Sequence, residues 1–337
     1  GEETTSLYLS KADGRVIHCS DLDDLNICLE DYQNIRVNTP IILWLGNSQL
    51  HAINQFSPGE ETAAPELHRR FFDTGNYFLT LSQPNASLQE HYLFFAYLLD
   101  NLPIKTLVLP LVFDDMREEG IRTNLSDALS DKNTAKLLNV SKVGRSIINA
   151  KNSKDAANYD LAALKDTPQK RVESVLNKNL KTLWPLWAER PSLRGKFFNY
   201  LFQIRNTVFQ INPSSIRNMI PGRYAKNIQS LSALLDLAST HQVKVMLYIA
   251  PLRNDVQIPY DLNEYTLFKD DVSLISKKKS VTLLDLEGLV PNELWGNKES
   301  TSLNGNLEFD FMHFQEGGHR LLAEALFRGL TKLDVSP

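Results

Sequence analysis

Cysteine is nearly absent from this chain of 337 residues, which has only two. Cys19 and Cys28 come with no Cys-x-x-Cys pair and no Cys/His cluster, which excludes zinc-ligating and dithiol redox motifs. Two readings of the pair stay open: a disulfide closing a short loop in an oxidising compartment, or two separate small thiols. No apolar run approaches the roughly 20 residues that a membrane span needs. Neither sign of charge is in excess, because 36 Lys and Arg stand against 40 Asp and Glu for a formal net charge of −4. The balance therefore calls for neither nucleic acid nor an anionic membrane as partner. Internal repeats and low-complexity tracts are missing too. What is present, 42% hydrophobic and 23% charged residues, suits a globular chain with a sizeable core and excludes disordered and fibrous classes. The chain begins Gly1-Glu2-Glu3 without an initiator Met, so an N-terminal tag or targeting segment is expected to have been removed.

Five short apolar runs read as buried strands: Ile41 to Leu45, Tyr77 to Leu81, Leu107 to Phe113, Val243 to Ala250 and Val281 to Leu284. Pro110, inside the third, removes a ladder donor and predicts a bulge or a sheet edge. Helical spacing separates the runs. Ser87 to Asn101 is apolar almost all round over Tyr92 to Leu99. Ile228, Leu231, Leu235 and Ala238 precede the fourth strand, Tyr265, Phe268, Val272 and Ile275 the fifth, and Leu321, Leu322, Ala325 and Leu326 mark a last helix. This alternation predicts an α/β fold with an open, doubly wound, mainly parallel five-stranded sheet, one domain over 1–337, with ligands bound at the carboxyl ends of the strands. Residues 115–223 read as a helical insertion. Within it Trp184, Trp187, Phe197, Phe198, Tyr200 and Phe202 alternate with Lys181, Arg190, Arg194, Lys196 and Arg205. That pattern fits a polymer-binding or membrane-surface face, or an amphipathic cap.

Ser48, in Gly46-Asn47-Ser48, follows a buried strand at the start of the next helical segment, where N–H groups and the dipole favour a developing oxyanion. A serine there is either a nucleophile or merely an N-cap. The late segment Asp310-Phe311-Met312-His313 supplies what a nucleophile needs. His313 is the candidate base for the Ser48 proton, and Asp310 the group that holds the imidazole in the right tautomer. Both segments are expected in loops beyond strand ends. His51, three residues after Ser48, and Arg253, closing the fourth strand, are candidate substrate contacts, or else a packing histidine and a salt-bridge arginine. His18, His68, His91, His241 and His319 show no metal-ligand spacing, and no cofactor motif is present.

Gly-x-Ser early and Asp-x-x-His late on a five-stranded α/β plan resemble the SGNH/GDSL hydrolase superfamily over most of the chain. Gly46-Asn47-Ser48 stands for its first block, and Asp310 to His313 matches its last. The resemblance implies an oxyanion hole from the Ser48 and Asn85 N–H groups, Asn85 replacing the glycine of the second block because Asn tolerates left-handed backbone; helix capping is its alternative role. In the third block Asp114 replaces the oxyanion-binding Asn. A carboxylate facing an oxyanion repels it, so Asp114 is expected to turn away, to pair with a cation such as Arg117 or Arg122, or to be protonated. Asp114 and Arg117 are also counted as substrate-binding candidates.

Within the superfamily the chain is similar to extracytoplasmic members that accompany membrane-bound O-acyltransferases, as in alginate acetylation and D-alanylation of teichoic acid. The implied activity is acyl transfer to, or removal from, a carbohydrate polymer or oligosaccharide of the bacterial envelope through an acyl-serine. A membrane-bound O-acyltransferase is then the candidate partner, and a periplasmic or cell-surface location is expected, with anchoring by a missing N-terminal segment. The competing reading is a non-catalytic carbohydrate-binding or scaffold protein on a degenerate hydrolase fold, with Asp114 as its main argument.

Overall fold

Continuous apolar runs form strands buried on both faces, and here they build the centre of one sheet. The computed structural model describes residues 10–20, 22–35, 38–51, 59–157, 216–255, 258–298 and 308–333. The sheet consists of β1 (Ser10–Ala12), β2 (Arg15–Cys19), β3 (Ile41–Gly46), β4 (Tyr77–Ser82), β5 (Ile104–Leu111), β6 (Lys244–Ile249) and β7 (Thr282–Asp285). Their spatial order is β1-β2-β4-β3-β5-β6-β7, every pairing parallel except β1 with β2. The sheet has seven strands rather than five. The added pair is the N-terminal hairpin, whose β2 carries Arg15 and His18 among its five residues, too polar for the continuous-run signature.

Eight helices are described: α1 (Leu22–Gln33), α2 (Ala63–Phe72), α3 (Leu88–Asn101), α4 (Lys132–Leu138), α5 (Lys142–Ala157), α6 (Pro221–Thr240), α7 (Leu262–Lys278) and α8 (Glu316–Lys332). Helix α2 packs on α8 and α3 on α6. A Cβ on Gly329 of α8 would stand 2.7 Å from Met246 Sδ of β6, so a glycine lets that helix lie close to the sheet. The α3 start is fixed by a capping box in which Ser87 Oγ accepts from the Glu90 N–H and the Glu90 carboxylate accepts from the Ser87 N–H. Within the 115–223 region, α4, α5 and two 3-10 turns are helical, while its aromatic and basic stretch from Lys181 to Arg205 lies outside the described residues.

Pro110 sits neither at an edge nor at a bulge. It pairs with Tyr248 in an unbroken β5–β6 register, and the β3 ladder on the other side ends at Trp44–Val108, two residues earlier. The missing N–H therefore breaks no pairing with β3. Cys19, closing β2, and Cys28 of α1 form a disulfide with a Cα–Cα distance of 6.4 Å, which resolves the two readings of the pair. A second antiparallel pair, β8 (Trp295–Lys298) with β9 (Glu308–Phe314), stands apart from the main sheet.

Asn227 of α6 ties the segments after β4 and β5 together. Its Oδ1 accepts from Leu88 N at 2.9 Å, and its Nδ2 donates to Glu118 O at 2.8 Å, Arg223 O at 3.0 Å and Met116 O at 3.2 Å. The side chain is fully buried. Asn227→Ala orphans several of these backbone groups, each worth roughly 1–3 kcal/mol when buried. The expected loss is at least about 2 kcal/mol in urea unfolding, and a loss below about 0.5 kcal/mol would contradict the assignment.

Candidate functional site

Three neighbouring strands, β4, β3 and β5, run parallel and end on the same side of the sheet, so the segments that follow them crowd together. After β3 the chain turns sharply at Gly46, where any Cβ would collide with Leu50 Cδ1. A 3-10 turn, Ser48–Leu50, follows. Asn47 caps it, its Oδ1 accepting from Gln49 N at 2.9 Å, while its Nδ2 donates to Asp115 Oδ2 at 2.9 Å. Gln49 Nε2 donates to Pro251 O at 3.0 Å beyond β6. Both neighbours of Ser48 are thus buried and anchored, while Ser48 itself is half-buried.

Ser48 Oγ lies 3.1 Å from His313 Nε2, which brings together two residues 265 positions apart. His313 is in strand β9, not in a loop. That strand is irregular where it matters: Asn297 pairs with Phe309 and Trp295 with Phe314, so β9 advances five residues while β8 advances two. Positions 310 to 313 fill this bulge, which locally re-aims the strand at His313. Phe314 anchors its end, fully buried and edge-on to Trp295 at 5.3 Å. Asp310 is described only as a position in β9, and its side chain lies outside the described residues.

On the β4 side, Asn85 has φ +53°, the left-handed backbone that Asn tolerates. Helix capping is not its role, since Ser87 caps α3. Arg122 holds the preceding residue by donating to Pro84 O, and it pairs with the buried Glu90 carboxylate at 3.2 Å. Among the described residues, neither the Ser48 nor the Asn85 N–H meets an acceptor.

Asp114 is committed away from Ser48. Its Oδ2 accepts from Arg217 Nη1 at 2.6 Å and from Tyr260 OH at 3.0 Å. The cation is neither Arg117, whose Nε donates to Asn218 O at 2.7 Å, nor Arg122. Arg217 is 103 positions from Asp114 in sequence, a separation that carries no local signal. The carboxylate that does reach the Ser48 turn is the next one, Asp115, 2% exposed. Its cue in the sequence is slight: a second acid beside Asp114, opposite an Asn in the first block.

Two further substrate candidates are committed elsewhere. Arg253 is 4% exposed and grips Asp255 through Nε at 2.6 Å and Nη2 at 3.0 Å, with Nη1 on Gly296 O at 2.9 Å. It joins the end of β6 to β8. His51 is 1% exposed, and its Nε2 lies 2.6 Å from Ser82 Oγ; His18 Nε2 lies 2.5 Å from the same oxygen. One hydroxyl proton cannot serve both imidazoles, so at least one ring must donate. Among the described residues no His, Cys, Asp or Glu group is arranged to hold a metal, and no helix is long and apolar enough to cross a membrane.

No family model and no curated protein matches the sequence. Solved structures to which it is similar include the psychrotrophic esterase EstA from Pseudoalteromonas sp. (10% identity, 87% of this chain and 97% of that one, TM-score 0.42). Others are the acetylxylan esterase Axe2 from Geobacillus stearothermophilus (9% identity, 86% and 94%, TM-score 0.40) and a GDSL-like lipase from Bacteroides thetaiotaomicron (10% identity, 87% and 88%, TM-score 0.38).

The buried histidines make the fold acid-sensitive. Burial lowers His18, His91 and His319 from 6.5 to about 3, Arg122 adding to the effect at His91, and His313 and His18 at His319. Burial also lowers His68 to about 4. These rings are neutral in the fold, whereas the unfolded chain binds protons from pH 6.5 downward, so stability is full above that value and lost as pH falls toward 3. Each contributes a slope on the order of 1 kcal/mol per pH unit in that window. Urea unfolding at pH 7 and pH 5 should show the loss, and His18→Gln should make it shallower; equal stability at both pH values would contradict it.

Proposed function

We propose that the protein is a serine-dependent acyl-ester enzyme, and the observation that carries this reading is the 3.1 Å contact of Ser48 Oγ with His313 Nε2. Ser48 Oγ adds to the ester carbonyl carbon as its proton passes to His313 Nε2, and the carbonyl electron pair moves onto oxygen. Collapse expels the alcohol, which takes the proton from His313 and leaves an acyl-Ser48. Water or a second hydroxyl then repeats the steps in reverse, making the enzyme an esterase or an O-acyltransferase respectively. The Ser48 and Asn85 N–H groups bind the oxyanion, and Asp310 is the proposed orienting carboxylate for His313.

The substrate we propose is an acyl ester, of the acetyl type, on a carbohydrate outside the cytoplasm, with a membrane-bound O-acyltransferase as partner. The Cys19–Cys28 disulfide supports an oxidising compartment, and the motif resemblance supports the carbohydrate. The scaffold reading rests on Asp114 in the place of the oxyanion-binding amide; the Arg217 and Tyr260 bonds to that carboxylate relieve the repulsion of an oxyanion but supply no donor.

A serine-reactive fluorophosphonate tests the reading. Labelling at Ser48 is expected, absent in Ser48→Ala and at least about 10³-fold slower in His313→Ala. A native wild-type protein that resists labelling would overturn it. With a small activated acetyl ester and a saturating glycan acceptor, transfer to the glycan identifies the O-acyltransferase, whereas hydrolysis alone identifies the esterase.

A further inference from the structure

The proposed reaction leaves one place at the oxyanion unfilled. Oxyanion donors come from the segments after β4 and β3, namely Asn85 and Ser48. The segment after β5, on the other side of β3, brings a carboxyl group. Parallel strands lie about 4.8 Å apart, so Asp115 enters from the flank opposite Asn85. Its position is fixed: Asn47, the residue before the nucleophile, donates Nδ2 to Asp115 Oδ2 at 2.9 Å, and Asn47 cannot be flipped because its Oδ1 accepts from Gln49 N. Occupied by that donor, Oδ2 is the acceptor oxygen of the carboxyl, which leaves Oδ1 as the atom to carry a proton. Among the described residues Oδ2 is taken by Asn47, whereas Oδ1 has no hydrogen-bond partner.

We propose that Asp115 is a further catalytic residue: an un-ionised carboxylic acid whose Oδ1–H donates a hydrogen bond to the oxyanion, replacing the side-chain amide that Asp114 cannot supply. The role rests on the acyl-enzyme reading above. As Ser48 Oγ bonds to the carbonyl carbon and its proton moves to His313, the oxygen that receives the π pair accepts from Asp115 Oδ1–H. That proton stays on Asp115 throughout.

The surroundings favour the neutral form. Burial is the main cause that holds the Asp115 carboxyl well above the usual range, and Asp114 and Glu118 on its own turn add to it. Arg122, from the following segment, and the Asn47 amide act the other way. From α6, Arg223 reaches this turn, but its guanidinium is engaged by Arg117 O and Glu119. Arg217 is spent on Asp114. A carboxylic acid kept neutral in such a site can donate to an oxyanion.

The sign follows: the donor exists below the raised Asp115 pKa and is lost above it, so kcat on 4-nitrophenyl acetate should fall on an alkaline limb. Asp115→Asn keeps a donor that does not ionise; it should hold kcat within about 10-fold of wild type and abolish the limb. Asp115→Ala should lower kcat by about 10²–10³-fold with KM little changed. The wild-type protein at neutral pH should show an infrared band of an un-ionised carboxyl that Asp115→Asn lacks, a readout independent of turnover and of whether Asp115→Ala folds. A limb that persists in Asp115→Asn, an Asp115→Ala variant that keeps wild-type kcat, or no such band would overturn the role while leaving the Ser48 reading intact. A wild-type protein with neither turnover nor fluorophosphonate labelling would overturn both.

Discussion

The hydrogen bond between Ser48 Oγ and His313 Nε2 is the contact on which every chemical statement about this protein depends. It spans 265 residues, and neither partner's own element produces it. Ser48 is placed by the parallel sheet, which sends the ends of β4, β3 and β5 to one edge. His313 is placed by a bulged strand outside that sheet. The two meet because α8, which follows β9, packs back on α2 and, at Gly329, against Met246 and Leu284.

Around that contact the protein spends its polar groups on holding backbone still. Asn47 and Gln49 on either side of Ser48 reach Asp115 and Pro251 O, while Arg122 holds Pro84 and Asn227 ties α3 to the β5 turn. Such bonds add modestly to stability, and their larger effect is that a buried donor or acceptor has one arrangement rather than several. A nucleophile and its oxyanion donors need that restriction, because the donors must already point to where charge will develop.

The central strands were legible because parallel strands buried on both faces read as near-continuous apolar runs, as Ile41 to Gly46 does throughout and Tyr77 to Leu81 does but for Thr80. Hairpin β1–β2 escaped that signature, with Arg15 and His18 in a strand of five residues. Ser48 and His313 could be paired from motif chemistry, but the strand bulge that presents His313 could not, since it depends on register against β8. Pairings over long separations were equally hidden. Asp114 had suitable cations nearby in Arg117 and Arg122, yet Arg217 and Tyr260 take it. Of the two readings of Arg253, substrate contact or salt-bridge arginine, the structure gives the second, with Asp255 and Gly296 O taking its guanidinium.

A crystal structure of the protein inactivated by a dialkyl phosphonate ester tests the account most directly. Phosphorus bonded to Ser48 Oγ, with the phosphoryl oxygen within about 3 Å of the Ser48 and Asn85 N–H groups and His313 Nε2 beside the esterified oxygen, is the predicted result. An adduct on another residue, or a phosphoryl oxygen directed away from both N–H groups, would contradict it.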